Sequence, residues 1–167
     1  MKTCLILLLF ISIQLVVSVP TGFTNGVATD MVSDQARCPV CGMFVAKYPN
    51  WLAQIHYSDS AQTRFFDGPK DMMVFYFNPE RYDGPPREAI KYIFVKDYYS
   101  LNWLSARDAF YVIGSDLYGP MGHELIPFGT REAAESFSKD HQGKDILTFE
   151  DITPELIESL QAGQKMR

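Results

Sequence analysis

Six residues near the front of the chain, Cys38-Pro39-Val40-Cys41-Gly42-Met43, gather two thiols and a thioether into one short stretch, and only one other cysteine, Cys4, exists in the sequence. Any soft-metal or redox chemistry must begin here. Thiolates and thioethers are soft donors that select Cu(I), with Zn(II) the main competitor for the thiolates. The same CxxC spacing also suits a disulfide or a redox pair, so spacing alone leaves the three open. Pro39 restricts the backbone of the residue before it and Gly42 lets the chain turn tightly. The loop is thereby able to offer Cys38, Cys41 and Met43 from one place.

Lys2 is followed by an apolar run that starts at Leu5 and contains Ser12 and Gln14, which reads as a secretory signal peptide over residues 1–18. The run is short for a membrane span, with an uncleaved N-terminal anchor as the alternative. Cys4 stands at the front of the run, whereas a bacterial lipoprotein carries its acylated cysteine at the end, so Cys4 is expected to leave with the signal. Cys38 and Cys41 would then be the cysteines left, in an oxidising compartment that permits a disulfide between them. The full chain has 20 acidic and 15 basic residues, a formal charge of −5, and loss of Lys2 leaves 20 against 14, or −6. That balance argues against a nucleic-acid partner, whose phosphates require a basic surface. It suits a protein that handles a cation.

The elements that position the sulfurs follow from the patterning. Residues 19–37 show little periodicity and several Gly, Thr, Ser and Asp, and read as a flexible lead-in. Trp51 to Tyr57 alternates as a strand, Ser58-Asp59-Ser60 makes a turn, and Thr63 to Asp67 returns as a second strand. Pro69 opens a helix ending before Pro79, and Ile90 to Val95 is a third strand. The order then repeats: strands Ala109 to Gly114 and Glu124 to Phe128, a helix Arg131 to His141 capped by Thr130, and a strand Asp145 to Phe149. Phe66 and Phe75 flank the first helix at the separation with which Phe128 and Phe137 flank the second. The expected fold is therefore α+β, two duplicated ββαβ units in a small two-lobed domain. The first spans 38–98 with the metal-binding loop and the second 99–152, and 153–167 form a tail whose Thr153-Pro154-Glu155 opens a last helix.

Cys38-Pro-Val-Cys-Gly-Met43, Ala53-Gln54-Ile55, Phe66 followed by Lys70-Asp71-Met72, Ala106 to Ser115, Gly119-Pro-Met-Gly122 and Leu125-Ile-Pro-Phe128 together resemble the NosL family, accessory proteins of nitrous-oxide reductase. The resemblance runs from about Ala36 to Thr153. It implies two ββαβ halves and a periplasmic Cu(I)-binding metallochaperone serving assembly of the reductase's copper-sulfide centre. The implied partners are the reductase, an ABC-type transporter and a periplasmic assembly protein. Family members are commonly lipoproteins, and the missing cysteine at the end of the signal is a departure that puts membrane attachment in doubt. By the same resemblance, Cys41 and Met43 are copper ligands and Met121 a further one.

The residue types give these positions physical roles. Cys41 would bind as a thiolate, releasing its proton. Met43 and Met121 would act as neutral thioethers that favour Cu(I) without adding charge. Cys38 is either a second thiolate or a disulfide partner that switches the site off. Met121 sits in a Gly-Pro-Met-Gly turn with no place in a core strand, whereas Met72 and Met73 lie in an apolar helix and read as core. His123, two residues from Met121, and His56, on the first strand, are candidate imidazole ligands. No Ser/His/Asp set, phosphate loop or general-acid pair is visible, so an enzyme is not expected. Two other readings stay open: a thiol-disulfide oxidoreductase built on Cys38 and Cys41, and a structural zinc protein that would recruit His56 or His123 to close its site.

Overall fold

The computed structural model describes residues 27–58 and 63–163. The expected signal peptide and the tip of the first turn, Asp59-Ser60, lie outside the described residues. Strands β1 (Ala53–Tyr57) and β2 (Thr63–Phe66), helix α1 (Pro69–Phe77) and strand β3 (Ile90–Lys96) form the first unit, with β4 (Trp103–Ser105) added at its edge. Its sheet is antiparallel in the order β2-β1-β3-β4. The second unit comprises β5 (Phe110–Ile113), β6 (Ile126–Phe128), α2 (Arg131–Asp140) and β7 (Asp145–Leu147), in the order β6-β5-β7. In both units the first strand is flanked by the second on one side and by the strand after the helix on the other. The duplication thus extends from element order to topology.

The phenylalanine trace has a packing counterpart. Phe66 closes β2 and Phe75 is the seventh residue of α1, while Phe128 closes β6 and Phe137 is the seventh of α2. Their rings meet at centroid distances of 5.2 Å and 5.0 Å respectively. Each pair pins a helix to the end of its strand, a contact beyond what ring area alone contributes.

The two units share one core. Ala53, Ile55, Met72, Met73 and Phe75 of the first pack in one cluster with Tyr111, Ile113 and Leu125 of the second. Val112, between Tyr111 and Ile113 on β5, belongs instead to the smaller cluster with Ile126, Phe128, Ala134 and Phe137. The alternation along β5 therefore sends one face to the first unit and the other to α2. Helix α3 (Pro154–Gln161) closes the larger cluster with Ile157 and Leu160, and its start is capped by the Thr153 hydroxyl accepting from Leu156 N at 3.3 Å.

Two features differ from the sequence expectation. Strand β4 is three residues long, too short to show a period, and depends on a turn in which Leu101 takes φ 58°. The lead-in, expected to be flexible, is tied down from Thr29 onward. Gln54 is fully buried on β1, and its amide exchanges hydrogen bonds with the backbone of Thr29 because a buried amide must find partners. Asp30 pairs with Lys96 of β3 alongside.

Asp97 joins the units electrostatically. One carboxylate oxygen accepts from Tyr99 N, Ser100 N and Ser100 Oγ, and the other from Gly129 N of the second unit at 2.7 Å. Burial opposes its charge, but these donors outweigh it and hold the carboxyl below its usual range. Asp97→Ala is expected to cost about 2–4 kcal/mol in urea unfolding at neutral pH. Because the folded state depresses this pKa, the contribution is present above the ordinary carboxyl value of about 4 and fades as pH falls below it. The stability gap between wild type and Asp97→Asn should accordingly narrow between neutral pH and pH of about 3; a gap that widens would contradict the assignment.

Candidate metal centre

The sulfur-bearing loop is a knuckle closed by its own backbone. Arg37 and Phe44 form an antiparallel bridge, Cys38 N donates to Met43 O at 2.9 Å, and Gly42 N donates to Cys38 O at 2.9 Å. Gly42 takes φ 77° with open space where a side chain would stand, so glycine is needed there for backbone conformation alone. Arg37 braces the turn from outside: its Nη1 donates to Gly42 O at 2.8 Å and its guanidinium lies 3.9 Å from the Phe44 ring centre. Cys38 points inward, 1% exposed, and Cys41 is half-buried. Both are free thiols.

Opposite the knuckle stands the start of α1. The chain leaves β2 through Asp67 and Gly68, enters the helix at Pro69, and carries Asp71 in the first turn. Cys41 Sγ donates to Asp67 Oδ1 at 3.3 Å, and Cys38 Sγ faces Asp71 Oδ2 at 3.7 Å. One ligand atom from each of Cys38, Cys41, Asp67 and Asp71 falls within 4.8 Å of all the others. Both carboxylates are buried, at 1% and 4% exposure. The helix N-terminus favours their negative charge and offsets part of the cost of burying it.

Burial, with the facing carboxylates adding to it, pushes the Cys41 thiol up to about 12 and the deeper Cys38 thiol higher still. Burial likewise raises the Asp71 carboxyl. Without a metal the thiols are therefore protonated at neutral pH, and a cation that displaces those protons would neutralise a buried cluster rich in anionic oxygen and sulfur.

The remaining candidates have surroundings of their own. Met43 follows the knuckle and is partly buried. Met121 sits in a tight turn closed by Gly119 N to Gly122 O at 2.8 Å and is 44% exposed. That turn is fastened to α1, because Lys70 Nζ donates to Met121 O at 2.6 Å. His123 is buried against the Tyr118 ring, with centroids 4.9 Å apart, and is not among the four clustered residues. His56 bonds Gln54 Oε1 at 2.9 Å and meets the edge of Phe94, and it too is not among the four clustered residues. The donors that accompany the thiols are carboxylates, where the zinc reading expected His56 or His123. Sequence reasoning missed Asp67 and Asp71. Their signal, two aspartates four residues apart around Gly68-Pro69, is also that of an ordinary helix start.

The profile of the family described as NosL matches residues 29–157. The chain is 30% identical over 128 residues to the "Copper-binding lipoprotein NosL" of Achromobacter cycloclastes, an alignment spanning 70% of this chain and 63% of that relative. It is 26% identical over 139 residues to the protein of the same name from Stutzerimonas stutzeri, spanning 78% of this chain and 69% of the relative. The chain thus spans less than two thirds of the first relative's length. The crystal structure of the copper chaperone NosL from Shewanella denitrificans superposes with a TM-score of 0.67 at 24% identity, covering 78% of this chain and 98% of that one, which shows a shared fold.

The raised thiol pKa values have a direct readout. In metal-free, reduced protein at pH 8, Cys38 and Cys41 should be alkylated more than about tenfold more slowly than free cysteine. The rate should go on climbing above pH of about 9, where free cysteine levels off. Asp67→Asn with Asp71→Asn removes the facing charge and should accelerate the reaction at pH 8; no acceleration would show that the carboxylates do not act on the thiols.

Proposed function

Because the chain belongs to the NosL family, we propose that it is a Cu(I)-binding metallochaperone of the cell envelope. The observation that carries this reading is the convergence of two free thiols from a braced knuckle on the start of α1, to which the Met121 turn is fastened. In this reading Cys41 and Cys38 bind copper as thiolates, Met43 and Met121 complete the set as thioethers, and His123 is the nearest imidazole in sequence to the Met121 turn. Thiolates and thioethers together favour the monovalent soft ion. Copper is cargo here and no bond of a substrate is made or broken.

The exposure gradient suits hand-over. Cys38 is the inner donor, Cys41 is half-buried, and Met121 lies 44% exposed. An acceptor's ligands would meet the outer donors first and displace them one at a time, leaving the inner thiolate until last. The client is nitrous-oxide reductase or another copper enzyme, with the ABC-type transporter and assembly protein as further partners. Naming of the relatives as lipoproteins supports export to the envelope. Among the described residues no helix is long and apolar enough to cross a membrane. Zn(II) is the competing ion, since two thiolates and two carboxylates within 4.8 Å also suit tetrahedral zinc.

Anaerobic titration of the reduced protein with Cu(I) against a competing chelator tests the proposal. One tightly held ion per chain is expected. Cys41→Ser should weaken binding by roughly 1,000-fold, about 4 kcal/mol, and Met121→Ala by roughly tenfold. Binding no tighter than the chelator, together with ready exchange of Cys38 and Cys41 with a disulfide substrate, would replace the copper reading with the redox one.

A further inference from the structure

We infer that Lys70 and Glu124 are positioning residues that hold the Met121 turn of the second unit against the thiol-bearing side of the first, so that sulfur donors from both units act on one ion. The inference rests on the copper reading and on Met121 as a ligand. Lys70 is buried, 2% exposed, at the second position of α1. Its ammonium donates to Met121 O at 2.6 Å. Its backbone N–H donates to Glu124 Oε1 at 2.5 Å, and the same oxygen accepts from Leu125 N at 2.9 Å. A single residue of α1 is therefore bonded to both ends of the segment from Met121 to Glu124. The next residue along the helix is Asp71, which faces Cys38.

The space around this latch is cut to fit it. A methyl group at Gly68 would overlap Glu124 Oε2, and one at Gly119 would stand 2.9 Å from Glu124 Cγ. Gly68 is the residue that caps α1 and Gly119 opens the Met121 turn. Two glycines, one from each unit, thus leave room for one buried carboxylate between them. The buried Glu124 carboxyl must find partners, and one of the donors it finds is the backbone N–H of the residue that grips the Met121 carbonyl. Lys70 is the shared element: it ties the turn's tip by its side chain and the turn's base by its backbone.

The test is a double-mutant cycle on Cu(I) affinity, using the reduced full chain and a competing chelator, with thermal unfolding recorded for every variant. Lys70→Met should weaken Cu(I) binding roughly tenfold in the wild-type background and less than about twofold when Met121→Ala is already present. Glu124→Leu should behave as Lys70→Met does. Glu124→Gln keeps the acceptor oxygen and should restore affinity to within about threefold of wild type. Lys70→Gln supplies a smaller change at the same bond should Lys70→Met fold poorly. Equal losses in the two backgrounds, or no loss for Lys70→Met, would overturn the positioning role while Met121 stays a ligand. A Met121→Ala protein that binds as tightly as wild type would remove the ligand reading and the positioning role with it.

Discussion

Two thiols and two carboxylates meet in a space where their ligand atoms all lie within 4.8 Å of one another, and the folded chain must hold four potentially anionic groups there. Isolated buried charge is costly, so the thiols keep their protons and share them in hydrogen bonds. The thiols donate, the carboxylates accept, and the helix N-terminus supplies favourable dipoles. Much of the surrounding architecture serves this arrangement. The Arg37 brace fixes the knuckle, Pro69 starts α1 at the right residue, and the Phe66–Phe75 contact pins the helix to the strand that delivers Asp67.

Duplication accounts for how the Met121 turn of the second unit reaches the start of α1. Two ββαβ units of the same strand order pack through a common core, with Tyr111, Ile113 and Leu125 of the second inserted among the first unit's residues. That packing sets the Gly119–Gly122 turn over the first unit's helix start, and Lys70 and Glu124 fasten it there. The units have diverged in what they contribute. The first carries the knuckle and the two aspartates, while the second carries an exposed methionine on a turn and places an ordinary threonine cap at its helix start.

The sequence exposed a good deal of this. Element order and both later helices were readable because Thr130 and Thr153 cap in the usual way and Pro69 and Pro154 sit at first helical positions. The knuckle was readable because cysteines are scarce in the chain. Strand β4 was hidden by its length, and the order of residues 29–37 by their composition, since what ties them are long-range partners such as the buried Gln54 amide and Lys96. Asp67 and Asp71 were hidden for a different reason: acidic residues at helix starts are common, and only the fold brings the knuckle over this one. His123 drew attention through its nearness to Met121, yet its ring packs on Tyr118 outside the thiol–carboxylate cluster.

Scattering from copper's own neighbours identifies the atoms that hold the ion. Protein grown with selenomethionine, reduced, loaded with one equivalent of Cu(I) and studied by X-ray absorption at the copper and selenium edges reports whether thioethers touch the ion. Thioether ligation by Met121 predicts a sulfur-dominated shell at the copper edge and a copper–selenium path at both edges that diminishes in Met121→Ala. A shell dominated by oxygen or nitrogen, with no copper–selenium path, would contradict it and leave the two aspartates as the ligands that accompany the thiols.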